Sequence, residues 1–151
     1  MKKIVAAASV GGHWIQLLRI TKALDARYDV SYISTHAKCA IFVEGHNFYT
    51  IRSFSRWDAY KVFPAFFSAL SILKKEKPDV VITTGAAPGL AVLLAARCLG
   101  KKTIWIDSIA NSVHLSASGK IAKHFASCIY TQWPNLAHDG VRFAGDVIGK
   151  N

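Results

Sequence analysis

The sequence predicts an α/β fold, a doubly wound parallel sheet in a single domain, and three observations carry that expectation. Short runs rich in Val, Ile and Ala alternate with stretches of helical spacing along the whole chain. Those runs are apolar without clean alternation, the pattern of strands buried on both faces. The first of them, Ile4-Val5-Ala6-Ala7-Ala8, passes through Ser9-Val10-Gly11-Gly12-His13 into a helical stretch, a strand, glycine turn and helix in the manner of a Rossmann domain. With 151 residues and 52% apolar content the chain can bury one core, and no repeat, low-complexity tract or linker divides residues 1–151.

In chain order, strands are expected at Lys3–Ala8, Val30–Ser34, Tyr49–Arg52, Val80–Thr84, Thr103–Asp107 and Cys128–Thr131, with a last one at Val141–Ala144. Helices are expected near His13–Ala26, Val62–Glu76, Pro88–Leu99 and Lys120–Phe125. The first helix places Ile15, Leu18 and Leu24 near one face, with Arg19 and Lys22 off it. Pro88 opens its helix and Gly100 follows its end, as helix termini require. Met1-Lys2-Lys3 before an apolar run superficially resembles a leader. The run is short and Gly11-Gly12-His13, Gln16 and Arg19 interrupt it, so it reads as a buried strand. No stretch reaches the ~18–20 apolar residues that span a bilayer.

Nineteen Lys and Arg against nine Asp and Glu give a formal net charge of +10. Such a balance is either a solvated basic surface or a surface for anionic partners: nucleic acid, acidic lipid head groups, nucleotide sugars or an acidic protein. Cys39, Cys98 and Cys128 are odd in number and far apart, and the six histidines form no HExxH pair. Neither a disulfide framework nor structural zinc is expected, and the thiols read as reduced and cytoplasmic. No metal and no cofactor is expected.

Ligands of doubly wound sheets bind outside the carboxyl ends of the strands. Four polar or glycine-bearing loops fall there: Ser9–His13, Ser34–His36, Thr84–Pro88 and Asp107–Asn111. The first ends in two glycines and a helix start, where free backbone N–H groups and the helix dipole suit a phosphate or another anion. It lacks the Lys-Ser/Thr ending of a P-loop and the full dinucleotide spacing, so it names no ligand. His13 adds a group able to donate, accept or carry a proton. Gly85 closes a second glycine turn, which is either a plain βα turn or a partner of the first. Asp107, with Ser108 and Asn111, can bind a sugar hydroxyl or act as a base, or it can cap the next helix and hold its own loop. His13 and Asp107 together would make a base and its orienter. His114, His124 and His138 have no sequence neighbours that suggest a role. Ser116–Lys120 reads as a helix cap or an anion site.

A second unusual segment runs from Phe54 to Leu73. Phe54, Trp57, Tyr60, Phe63 and Phe66 recur every third residue, with Arg52, Arg56 and Lys61 interleaved. Trp57, Tyr60, Phe63 and Phe66 are the candidate membrane contacts, laying rings into a head-group layer while basic residues meet lipid phosphates. The same spacing also fits aromatics that cover a sheet. Single-stranded nucleic acid is not expected, because its aromatics are spread across the strands of a platform and these lie in one stripe.

With these loops laid out, the chain resembles the small subunits of two-component glycosyltransferases. These are the PssD type of bacterial polysaccharide assembly and the membrane-recruiting subunit of the dolichol-pathway UDP-GlcNAc transferase. The resemblance covers nearly the whole chain. It rests on Ser9–His13 with Leu17-Leu18-Arg19, on Pro78–Gly85, on Ile104–Ser108, on Leu115–Lys120 and on Gln132-Trp133-Pro134. It implies the amino-terminal half of a MurG-like GT-B enzyme, the half that holds a polyprenyl-diphosphate-linked acceptor and touches the membrane. A separate chain would then bind most of the UDP-sugar.

On that resemblance Ser9, Gly11, Gly12 and Gly85 would line the cleft near acceptor or phosphate, with Ser108 and Asn111 beside them and His13 and Asp107 as candidate bases. The chain departs from many relatives in having Gln16 and Asp107 where they carry Glu, and an amino-terminal anchor like that of eukaryotic members is not expected. The expected place is peripheral, on the cytoplasmic face of a membrane, in polysaccharide or lipid-linked oligosaccharide biosynthesis. Two other functions fit the residues: a non-catalytic module that recruits a transferase, and a free-standing nucleotide-binding enzyme.

Overall fold

The computed structural model describes residues 1–149. Seven strands are joined in one sheet: β1 (Lys3–Ala8), β2 (Asp29–Ser34), β3 (Phe48–Thr50), β4 (Val80–Gly85), β5 (Lys102–Ile106), β6 (Cys128–Thr131) and β7 (Arg142–Phe143). Four α-helices connect them: α1 (Gly12–Thr21), α2 (Val62–Glu76), α3 (Ala87–Cys98) and α4 (Ala117–Ala122). Three 3₁₀ turns, Ala37–Val43, Arg56–Lys61 and Pro134–Leu136, complete the described elements. Every strand pair is parallel and the sheet order is β3-β2-β1-β4-β5-β6-β7. The expected α/β doubly wound sheet is therefore what forms. Its order reverses between β1 and β4, so the crevice where such sheets bind ligands opens at their carboxyl ends.

The strand sequences explain the two-sided burial. Along β1, Ile4, Ala6 and Ala8 join one buried cluster with Trp14 and Leu17 of α1, while Val5 and Ala7 join the other with residues of α2 and α3. Successive side chains point to opposite faces, so both faces being covered demands apolar residues at every position. β1 and β4 run in register from Ile4–Val80 to Ala7–Thr83, then slip so that Ala8 faces Gly85. The slip brings the Ser9 N–H to the Gly85 carbonyl at 2.8 Å and ties the two glycine loops together.

Several boundaries differ from those the sequence suggests. α1 stops at Thr21 rather than continuing to Ala26. There the Thr21 hydroxyl donates to the Leu17 carbonyl at 3.0 Å, and Leu24 and Arg27 close tighter i→i+3 turns. Its inward face is Trp14, Leu17 and Thr21 with Gln16, whereas Ile15 is 43% exposed. α4 starts before Lys120 because the Ser116 hydroxyl accepts the Gly119 N–H at 2.9 Å and caps the helix. The 3₁₀ turn at Ala37–Val43 has no counterpart among the expected elements.

A candidate cleft at the β1–β4 switch point

The cleft is built on the exits of β1, β4 and β5. It measures about 320 Å³, and His13, Gly85, Asp107, Ser108 and Asn111 all line it, with Thr84 and Trp105 among their neighbours. His13 and Asp107, 94 positions apart in sequence, thus share one cavity.

His13 is braced from two directions. Its Nδ1 lies 3.0 Å from the Thr84 carbonyl oxygen, and the Thr84 hydroxyl donates to the His13 carbonyl at 2.7 Å. A carbonyl only accepts, so Nδ1 carries the hydrogen and the neutral ring keeps its lone pair on Nε2. Gly85 is glycine for the sake of this ring. At φ +109° it adopts a conformation that side chains disfavour, and a Cβ there would stand 3.1 Å from Nδ1 and 3.3 Å from Cε1.

Gly11 precedes α1 at its N-cap, where a φ of 98° turns the chain, and no side chain caps the helix and no acid sits in its first turn. An uncapped helix start with nearby space for a ligand suits an anion. A Cβ on Gly11 or Gly12 would meet nothing within 4 Å, so the approach is open. The second glycine loop is different. The Gly85 N–H donates to the Thr83 hydroxyl at 3.1 Å and the Ala86 N–H to the Ser9 hydroxyl at 3.1 Å. Of the expected phosphate binders, Ser9 therefore spends its hydroxyl on joining the loops, and Gly85 spends its N–H within its own turn.

Asp107 makes the contacts of its loop-holding alternative. It is 1% exposed, and both its carboxylate oxygens are occupied. Oδ1 accepts from the Ser116 hydroxyl at 2.6 Å and from the Trp105 indole N–H at 3.0 Å, while Oδ2 accepts the Ser116 N–H at 2.9 Å. A carboxylate so engaged holds its loop and the cap of α4 rather than waiting for a substrate proton. Gly119 completes the clamp, since a Cβ there would fall 2.6 Å from Oδ1.

Ser108 is likewise tied, accepting from Gln16 at 3.1 Å and from the Ala110 N–H at 3.2 Å. Gln16 also accepts from the Ile109 N–H at 3.1 Å and from Gln132 at 2.6 Å, and Gln132 donates to the Asp107 carbonyl at 2.9 Å. This buried pair of glutamines fastens α1 to the exits of β5 and β6. Sequence reading missed it, although Gln16 lies one helical turn beyond His13 at a polar position on the buried face.

The aromatic segment divides at the change of helix type. Trp57, Tyr60 and Phe63 are 84%, 71% and 66% exposed, and Phe67 is 61% exposed. Phe66, expected in the same stripe, is half-buried against the core. The chain kinks at Asp58, between Trp57 and Tyr60; from Val62 the α-helical repeat places Phe67 one turn beyond Phe63 and turns Phe66 inward. Arg56 stacks over Trp57 at 4.8 Å, and Asp58, which accepts the Ser55 N–H and pairs with Lys61 at 2.9 Å, has its carboxyl lowered to about 2. Among the described residues no helix is long and apolar enough to cross a membrane, and no group of three or more His, Cys, Asp or Glu is placed to hold a metal ion.

Residues 10–106 match the Glycosyltransferase Family 4 profile, nearly two thirds of the chain. The chain belongs to this family. Within the matched span lie Gly11, Gly12, His13, Gly85 and strands β2 to β5, while β1 and Ser9 precede it. Over 92 residues the chain is 33% identical to UDP-N-acetylglucosamine–N-acetylmuramyl-(pentapeptide) pyrophosphoryl-undecaprenol N-acetylglucosamine transferases of Staphylococcus aureus, strains JH9 and Newman among them. The match covers 61% of this chain and 25% of theirs.

The fold matches MurG of Acinetobacter baumannii with a TM-score of 0.82 at 21% identity, over 99% of this chain and 47% of that one. It also matches the S. aureus MnaA–UDP structure, with a TM-score of 0.74 at 15% identity, over 97% of this chain and 46% of that one. The family member described here thus shares the fold of those two structures and spans about half the length of each.

Proposed function

We propose that this chain is the acceptor-side half of a UDP-sugar glycosyltransferase acting on a polyprenyl-diphosphate-linked sugar, with a separate donor-binding subunit completing the cleft. The observation that carries the reading is the His13 ring, fixed through Nδ1 by the Thr84 carbonyl, beside the uncapped start of α1 at the switch point. In the transfer, an acceptor hydroxyl forms a bond to the anomeric carbon of the UDP-sugar. Its proton passes to His13 Nε2, and the bond to UDP breaks with inversion. His13 acts as general base, worth about 10²–10⁴ in rate. Gly11 and Gly12 leave the α1 N-terminus open to the acceptor diphosphate. Ser108 and Asn111 form the opposite wall, and Asp107 and Gly85 position that wall and the histidine. Trp57, Tyr60, Phe63 and Phe67, with Arg56 and Lys61, meet the head groups of an anionic membrane on its cytoplasmic face.

The test is transfer from a UDP-sugar to a polyprenyl-diphosphate-linked acceptor, with this chain alone, with a candidate donor-binding chain, and with both. Transfer that requires both chains, and a kcat lowered about 10²–10⁴-fold in His13→Ala, is the expected result. Robust transfer by this chain alone would refute the divided site, and an undiminished rate in His13→Ala would refute the base. A second reading, a recruiting module without chemistry of its own, draws on the four exposed aromatics. It requires that His13→Ala retain full partner-dependent activity while Trp57→Ser with Phe63→Ser abolishes activity on membranes.

A further inference from the structure

The three histidines that have no role in the sequence reading converge on one place. A cavity of about 520 Å³, sharing no lining residue with the cleft, is walled by His114 from the loop after β5, by Lys120, Lys123 and His124 from α4 and its end, and by His138 from the β6–β7 connection. No Asp or Glu lines it. The adjacent acid, Asp139, is already paired with His138 at 2.9 Å, and its carboxyl is held below the usual range by His138 first and then by Lys123. The cavity is apolar elsewhere: Leu115 packs against the core, and Leu136 and Val141 are each 7% exposed.

The lining pairs an exposed basic rim with an apolar floor, and a ligand with an anionic head and an apolar tail would match both. Two ammonium groups one helical turn apart and three imidazoles offer more donors than a carboxylate has oxygens. A phosphate ester, with three acceptor oxygens and nearly two negative charges, matches them. A bare phosphate would leave the floor unused, and a volume of this size lies in the range that holds an organic ligand. We propose that the cavity binds a phosphate ester carrying an apolar chain, with the phosphate against Lys120 and Lys123 and the first part of the chain over Leu136 and Val141. The site stands apart from the cleft, so it does not depend on the transferase reading.

The experiment titrates the full chain with dihexanoyl phosphatidic acid below its micellar concentration, with inorganic phosphate and with dihexanoyl phosphatidylcholine, following the imidazole proton resonances of His114, His124 and His138. Saturable shifts with phosphatidic acid, and affinity lowered about tenfold or more, some 1.4 kcal/mol, in Lys120→Ser/Lys123→Ser, are expected. Both lysines are exposed, and His13→Ala should bind unchanged. Vesicles containing phosphatidic acid then distinguish the sources: binding to them that the lysine variant loses assigns a membrane lipid, whereas binding only to the dispersed ester assigns a free amphiphile, and either supports the site. Equal affinity for phosphatidylcholine or for inorganic phosphate, unchanged affinity in the lysine variant, or imidazole signals that do not move would overturn it.

Discussion

The two ends of the sheet use the same kinds of polar residue in opposite ways. At the amino-terminal edge, Glu76 at the end of α2 is 4% exposed. It accepts from the Tyr49 hydroxyl, from Ser31 at 3.0 Å, from Asn47 at 3.1 Å and from the Lys3 ammonium at 3.0 Å. Its two oxygens join residues from β1, β2, β3 and the loop before β3 to α2. At the carboxyl edge, His13 is pinned through one nitrogen only, and the start of α1 has no side-chain cap. Closed networks add rigidity, whereas groups left with unused valence are what a ligand can engage. The difference supports placing the proposed site beside His13, within a carboxyl rim that also has closed networks of its own.

That division is most sharply tested by crossing two substitutions. His13→Ala should cost the partner-dependent reaction about 10²–10⁴ in kcat while leaving the thermal midpoint nearly unchanged. Glu76→Ala should do the reverse, lowering stability by about 3 kcal/mol because Lys3 and three neutral donors lose their shared acceptor. Denaturant titration alongside the transfer assay separates the two. A destabilised His13→Ala, or a stable Glu76→Ala, would break the comparison.

Between the extremes stand residues at the carboxyl edge that work structurally. Gly119→Ala would push a methyl against the Asp107 carboxylate, costing about 1–3 kcal/mol as overpacking does, although Gly119 touches no reacting group in the proposed mechanism. The loss should appear as a lower midpoint in denaturant with an unaltered KM for the donor. A change confined to catalysis would return Asp107 to the chemistry.

These residues also mark what the sequence could and could not disclose. Strands β1 and β6 and helix α2 have the bounds expected from sequence, because an apolar run bounded by turn residues has few ways to fold. The gathering of His13 and Asp107 followed from topology, since all strand ends of a parallel sheet face one rim. Donor and acceptor pairing did not follow. Asp107 offered a base or a loop brace with equal chemical sense, and only the arrival of Ser116 and Trp105 at its oxygens decides for the brace. The second glycine loop advertised free N–H groups for the same reason, before Ser9 and Thr83 were seen to take them. Gln16 and Gln132 were beyond reach because they meet across 116 residues.

The aromatic segment offers a comparison of adjacent residues. Phe66 and Phe67 differ by one position, yet one packs on the core and the other is 61% exposed. Phe66→Ser should lower stability by about 1–2 kcal/mol through lost apolar burial, with vesicle binding largely kept. Phe67→Ser should leave stability within about 0.5 kcal/mol and weaken sedimentation with anionic vesicles. Equal effects of the two on binding would mean that the period does not change at Val62.

The smallest effect expected is the pH dependence of the closed network. Burial pushes the Glu76 carboxyl up, but hydrogen bonds from Tyr49, Lys3 and Ser31 outweigh it and leave the group below the ordinary value of 4.5. The same contact, with burial, raises the Tyr49 hydroxyl to about 12. A carboxyl depressed on folding contributes stability that is fully present above its unfolded value and is lost as pH falls through the folded one. The native chain should therefore lose stability from about pH 4.5 downward, and Glu76→Gln, which keeps the shape without the charge, should flatten that part of the curve. At neutral pH Glu76 should contribute no such slope to the native chain, because the carboxyl is ionised both folded and unfolded. Stability curves of the two proteins that stay parallel below pH 4.5 would show that Glu76 is not the group whose protonation opens the amino-terminal edge.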